Sequence, residues 1–263
     1  MHRLSLAAGV LADHDAITVA EAAVGSGFRN VGFTVTPWSS DTTRAIRSRL
    51  ASESVSVMDV EVVRIGPDGS VDDDNLFIVD VGLELGADNV LVISLCDDDA
   101  RTAQALRTLC ERSGSEGPRI CLEFMRFTKV RSLAQACAIA ESVGHPQAGV
   151  LVDTLHLART GELGDLAGAP SALLPYSQFC DGLTECADDD QSLIVDALDL
   201  RAVPGEGALP LVEMLAALPE SIPLSLEVRS KALRERYPDP VARASALLEG
   251  TRSYLDDLGR KHD

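Results

Sequence analysis

The chain contains no apolar run approaching the roughly 18 residues needed to cross a bilayer. It also lacks a basic flank followed by a long apolar stretch at Met1-His2-Arg3-Leu4-Ser5-Leu6, which argues against a membrane span and against a secretory leader. There is no Cys-x-x-Cys pair. Cys96, Cys110, Cys121, Cys137, Cys180 and Cys186 stand apart, most of them inside apolar runs, so they read as reduced small hydrophobes rather than as disulfides or zinc ligands. The expected compartment is the cytoplasm. Positive charge is also short: 23 Lys and Arg face 41 Asp and Glu, leaving a formal charge of -18. A nucleic-acid backbone, held mainly by basic patches that release counterions, is therefore not an expected partner. Aromatic residues make up 4% of a chain that is 46% hydrophobic, so the core has to be built from Ala, Val, Leu and Ile, a composition suited to helices packed around a parallel sheet.

What is present is an alternation. Short β-like runs at 3-8, 30-35, 55-61, 89-95, 119-124, 148-153, 173-179 and 222-228 alternate with stretches of helical period at 16-25, 40-52, 75-86, 99-113, 131-143, 208-218 and 239-257. The sixth helix is interrupted by Gly161, Gly164 and Gly168. Eight βα pairs in 263 residues, with no interior linker composition, predict a single (β/α)8 TIM barrel over residues 1-263. The Asp triplets at 72-74, 97-99 and 188-190 read as solvated loop charge. Residues 182-207 form a connection long enough to be a lid or binding loop.

Four of the apolar strands stop on an oxygen-bearing side chain: I-C-L-E at Glu123, V-L-V-D at Asp153, P-Y-S-Q at Gln178 and L-S-L-E at Glu227. In a closed parallel barrel these groups meet at the carboxyl end, where such folds keep their chemistry. Three carboxylates need a partner if they are to be buried there. With the Gln178 amide oxygen they make an all-oxygen shell of charge -3, which suits one hard divalent ion, Mn2+ or Mg2+, better than zinc.

Other residues near these ends keep two readings. His156 lies three residues beyond Asp153, so both face the same mouth if a helix begins there; otherwise it is a core or helix-end histidine. Arg201, before P-G-E-G, is a surface loop charge or a clamp for an anionic or polyhydroxylated substrate. Arg159 reads as a solvated helix charge or as a partner of Glu162, and Glu206 as a loop charge or a support for the site. Trp38, the only tryptophan, follows Pro37 after the second strand and is expected to wall the pocket.

Taken together, L-E-F at Glu123, V-D-T-L-H-L-A-R-T-G from Val152, S-Q-F-C-D-G from Ser177, R-A-V-P-G-E-G from Arg201 and L-S-L-E-V ending at Val228 resemble the sugar phosphate isomerase/epimerase group of xylose isomerase-like TIM barrels. That group also includes inosose and dehydroshikimate dehydratases. The resemblance runs over nearly the whole chain. It implies that Glu123, Asp153, Gln178 and Glu227 hold the metal, that Glu123 and Glu227 move protons, and that His156 and Arg201 contact substrate oxygens. Two departures stand out. The third ligand is commonly His, where this chain has Gln178, and some epimerases carry a substrate-binding Glu where this chain has Lys129. Lys129 points to a different, anionic substrate.

The expected activity is isomerisation or epimerisation of a sugar, cyclitol or related keto-hydroxy compound, by proton abstraction beside a carbonyl through a metal-stabilised enediolate. A dehydratase or lyase would use the same site. A barrel that binds metal, ligand or a partner subunit without turnover is the reading from another class. A three-zinc nuclease on this fold would need more than the five histidines at 2, 14, 145, 156 and 262. A homo-oligomer is left open, since the outer helices carry no clean interface signal.

Overall fold

The computed structural model describes residues 2–262. Eight parallel strands close into one barrel in sequence order: β1 (Leu4–Leu6), β2 (Asn30–Thr34), β3 (Ser56–Ile65), β4 (Asn89–Ser94), β5 (Arg119–Glu123), β6 (Ala148–Asp153), β7 (Ser177–Gln178) and β8 (Leu224–Leu226). Around them run α1 (Ala16–Ser26), α2 (Ser40–Ala51), α3 (Asp73–Leu85), α4 (Asp99–Ser113), α5 (Leu133–Val143), α6 (Thr154–Thr160), α7 (Leu163–Leu166), α8 (Asp190–Asp199), α9 (Leu211–Ala217), α10 (Lys231–Arg236) and α11 (Pro240–His262). No described helix is long and apolar enough to cross a membrane.

The apolar residues divide between two cores. The larger fills the space between sheet and helices, and a small plug of Met58, Leu91, Cys121, Leu151 and Tyr176 fills the barrel axis. Register fixes which residues face inward, because hydrogen-bonded neighbours share a face and successive residues alternate. The pairs Thr34↔Glu61, Glu123↔Leu151, Asp153↔Gln178 and Gln178↔Ser225 therefore place Glu61, Glu123, Asp153 and Gln178 on the inner face at the top. All six cysteines are free and five are buried, as their apolar surroundings suggest.

The Asp triplets do more than carry loop charge. Asp72, Asp98 and Asp189 cap α3, α4 and α8, each side chain accepting from backbone N–H groups of the first turn, while the next Asp sits in that turn and complements the helix dipole. Three further differences correct the sequence reading. β7 is two residues long rather than seven, since the chain before it forms a 3-10 turn at Ser171–Leu173. The 182-207 connection carries α8 instead of being an open loop. Arg159 does not pair with Glu162, whose carboxylate caps the Leu133 N–H at 2.8 Å. Arg159 instead donates to Asp196 at 2.7 Å and to the carbonyls of Leu183 and Thr184 at 2.9 and 3.2 Å, so it ties α8 and its approach to α6.

The R-A-V-P-G-E-G segment closes around Asp181. This buried carboxylate accepts from the backbone N–H groups of Gly182, Gly205, Gly207 and Leu209 at 2.8 to 3.0 Å. Gly205 has φ +90, and a Cβ at Gly207 would collide with Asp181 Oδ1, so both glycines are required by the turn. Glu206 points to solvent. Asp181→Ala strands several buried donors and lowers the unfolding free energy by about 2–3 kcal/mol, which urea denaturation will measure; an unchanged midpoint would remove this role from Asp181.

Candidate metal and active site

Each donor is positioned by its strand end. Asp153 ends β6 and also caps α6: Oδ1 accepts from the N–H groups of Leu155 and His156 at 2.8 and 3.1 Å. That fixes the side chain and turns Oδ2 toward the barrel axis. There Arg201 Nη1 donates to Oδ2 at 2.6 Å. The Gln178 amide lies 3.2 Å from Asp153 Oδ2 and 3.3 Å from Glu123 Oε1. Its nitrogen end donates to both acids; were a cation held there, the amide oxygen would be the end that serves it. Glu227 follows β8, with its carboxyl lying over Gly9, where any Cβ would clash. Its Oε2 is buried and has no hydrogen-bond partner.

The electrostatics follow from this crowding. Burial, then the Asp153 charge, pushes Glu123 well above the usual carboxylate range. Burial, then Glu61, raises Glu227 to about 7, against the pull of Arg201 and Arg229. Burial opposes ionisation of Asp153, but the Arg201 guanidinium, His156 and the hydrogen bonds it accepts together outweigh burial and hold that carboxyl below its ordinary value. His156 is lowered to about 4, by burial first and by Arg201 against the pull of Asp153. Its ring is therefore neutral at pH 7. Nε2 lies 3.5 Å from Arg201 Nη2 and 3.8 Å from Glu123 Oε1, and Phe127 packs edge-on at 5.6 Å.

These residues fit a divalent ion. Glu123, Asp153 and His156 each offer a ligand atom within 4.8 Å of the others, the Gln178 amide adds an oxygen, and Glu227 supplies an orphaned buried one. Arg201 alone does not compensate three buried carboxyls. His156, which the family resemblance assigns to substrate, also offers its ring nitrogen to this cluster.

The other expected site residues are distributed unevenly. Arg201 is buried, and its guanidinium is engaged by Asp153, the Ala197 carbonyl at 2.8 Å and Cys180 Sγ at 3.2 Å, so it orients Asp153 and His156 rather than standing on the surface. Trp38 lies on the opposite side of the mouth, edge-on to Phe33 at 6.0 Å, its Nε1 donating to Thr43; it shares a cavity wall with Glu61 and Arg64. Lys129 is exposed on the loop after β5, where its described contacts are made by backbone atoms, and the structure does not bring it to the acids.

Two acidic residues were missed from sequence. Glu61, on β3, is buried and accepts from Thr34 Oγ1 at 2.8 Å. Asp59 lies one layer below, both oxygens buried without partners, and burial with the Glu61 charge holds it well above the carboxylate range. The signal was in V-M-D-V-E-V: two acids at i, i+2 in an apolar strand must share its inner face.

A family model described as "Xylose isomerase-like TIM barrel" matches residues 20–253. The chain belongs to the xylose isomerase-like TIM-barrel family. No curated protein matches it at the sequence level. Among solved structures, a xylose isomerase-like TIM barrel/4-hydroxyphenylpyruvate dioxygenase fusion protein superposes with TM-score 0.78 at 22% identity, covering 98% of this chain but 44% of that one. This barrel thus spans less than half of the fusion protein. The IOLI protein with a binding zinc atom aligns with TM-score 0.74 and 16% identity over 99% of both chains. D-allulose 3-epimerase from Methylomonas sp. aligns with TM-score 0.69 and 16% identity over 96% of this chain and 98% of the other. Identities this low establish the shared xylose isomerase-like fold. The zinc of the IOLI structure is that protein's.

Proposed function

We propose that this barrel is a divalent-metal-dependent isomerase or epimerase of a sugar, cyclitol or related keto-hydroxy compound, with Mn2+ or Mg2+ held by Glu123, Asp153, Gln178 and Glu227. The observation that carries the reading is the buried, under-compensated cluster at the ends of β5 to β8, above all the orphaned Oε2 of Glu227. When bound, the ion supplies Lewis acidity toward a carbonyl and its neighbouring hydroxyl, which acidifies the C–H between them. Glu227, whose carboxyl lies over Gly9, takes that proton. Glu123, at the end of β5, is the complementary group that returns it. Neutral His156 offers a hydrogen bond to a substrate oxygen, and Arg201 keeps His156 and Asp153 in place. Loss of a β-hydroxyl in place of proton return would make the same residues a dehydratase.

The test is metal content by elemental mass spectrometry after reconstitution, on the native protein and on Glu227→Gln and Gln178→Ala. About one equivalent in the native chain, reduced in both variants, is expected, together with exchange of a ketose or inosose C–H with solvent deuterium that Glu227→Gln abolishes. A native chain that takes up no ion, or a fully exchanging Glu227→Gln, rejects the reading.

A further inference from the structure

The end of the barrel opposite the acids holds a cavity of about 910 Å3, against about 500 and 550 Å3 for two at the mouth. Leu4, Asn30 and Ser56, the first residues of β1, β2 and β3, form part of its wall. α11 closes another side with Leu248, Arg252, Leu255 and Asp256, which recur at i, i+4, i+7 and i+8 and so share one helix face. Small-molecule sites fall in this size range and combine apolar walls with a few placed polar groups.

The charged groups of this cavity run against the balance of the chain. Arg3, Arg29, Arg252 and His2 line it with one acid, Asp256, although the sequence carries 41 acids and 23 Lys and Arg. Arg3 is matched by Asp88 at 2.7 Å, and His2 Nδ1 donates to the Ile222 carbonyl at 2.7 Å. Arg29 and Arg252 form no ion pair among the described residues. Arg29 spends one donor on the Glu53 carbonyl at 2.9 Å, and its fork keeps others for an anion. Three guanidiniums set against Asp88 and Asp256 leave one positive charge, which suits a monoanion better than a dianion. Ser54, on the same wall, has φ +55, a conformation that glycine adopts without cost; the residue placed there instead brings a hydroxyl.

Charge alone does not make a site here, because an exposed ion pair contributes little in water. The apolar wall adds the rest. Phe28 and Leu248 are buried, while Leu4 and Leu255 are only half-buried and keep apolar surface open to the cavity. An apolar body laid over them gains from leaving water and excludes solvent from the charged end. We propose that this basal cavity binds a monocarboxylate with an aliphatic or aromatic body, its carboxylate met by Arg29 and Arg252 and its body lying on Leu4 and Leu255. The bound molecule bridges α11 to the floor of the barrel, and by binding only the native chain it stabilises the fold. It neither needs the metal nor competes with a molecule at the mouth.

Ligand-observed NMR titration of the full chain compares octanoate, octan-1-ol, acetate and octyl phosphate, all below micelle-forming concentrations. Octanoate is expected to bind at least tenfold more tightly than octanol, which lacks the charge, and than acetate, which lacks the body, and to raise the Tm. Arg29→Gln and Arg252→Gln each lower the preference for octanoate over octanol several-fold, and the double variant removes it with octanol binding unchanged. Both side chains are exposed, so the variants keep the fold. Arg44→Gln, at another exposed arginine, and Glu227→Gln, at the opposite end of the barrel, leave the preference intact. Equal binding of octanoate and octanol, an undiminished preference in the double variant, or its loss in Glu227→Gln overturns the proposal. So does octyl phosphate binding tenfold more tightly than octanoate, which would assign the cavity to a dianion.

Discussion

Arg201→Met will lower the unfolding free energy of the metal-free protein by about 3–5 kcal/mol, the range for removing one partner of a fully buried ion pair. The side chains of Arg201 and Asp153 are 3% and 0% exposed, so solvent cannot replace the lost guanidinium. Asp153 cannot turn away either, because two backbone N–H groups hold its other oxygen. Removing Arg201 also withdraws a positive charge from beside Glu123 and Glu227. Urea denaturation at pH 7.5 measures the loss, and Arg44→Met, which breaks a pair 76% and 84% exposed, serves as the control with an unchanged midpoint. Added Mn2+ will recover part of the loss in the Arg201 variant, since a bound cation and the guanidinium both neutralise Asp153. A loss below about 1 kcal/mol, or no recovery with metal, would show that Asp153 is not the charge both groups serve.

The second large effect is the pH dependence of metal uptake. Glu227 is raised to about 7 and must lose its proton to become a ligand, so the apparent Mn2+ affinity weakens about tenfold per pH unit below 7. Between pH 7 and pH 5 that is roughly 100-fold, or about 2.7 kcal/mol, and the raised Glu123 steepens it. In the metal-free chain the signs differ. Glu227, usual value 4.5, holds a proton in the native state that the unfolded chain has released, so its contribution to stability falls as pH rises from 4.5 to about 7. His156, depressed from 6.5 to about 4, does the opposite: the unfolded chain binds its proton first, so its contribution grows as pH rises from about 4 to 6.5. These two terms largely offset each other. Subtracting metal-free from metal-loaded melting curves removes the His156 term if imidazole stays neutral in both, and leaves the carboxyl titration. The metal-induced rise in Tm should therefore be small at pH 5 and grow through pH 7. A rise independent of pH would place any bound ion away from Glu227.

The fold was legible because a barrel writes its repeat into the sequence eight times, and a misplaced boundary in one unit does not disturb the count. The β7 strand shows the limit: P-Y-S-Q reads as the end of a long apolar run, yet Leu173 belongs to a 3-10 turn and Gln178 is nearly all the strand there is. The acids of β5, β6 and β8 stood out because each ends an apolar run, where a charge has no local reason to be. Asp59 and Glu61 did not, because β3 continues past them to Ile65 and mid-strand acids look like an exposed face. The engagement of Arg201 was hidden for another reason: its partner is 48 positions away, and no spacing rule connects a loop arginine to a strand-end carboxylate. Arg159 and Asp196, 37 positions apart, were hidden in the same way.

The four oxygen donors all come from β5 to β8, and they are braced by one another, by the first turn of α6 and by the turn around Asp181. The segment after β2 and the end of β3, which carry Trp38 and Arg64, share none of that bracing. A protein engineer can therefore exchange Trp38 and Arg64 to admit a different molecule, while Glu61, whose charge acts on Glu227, stays with the half that does the chemistry.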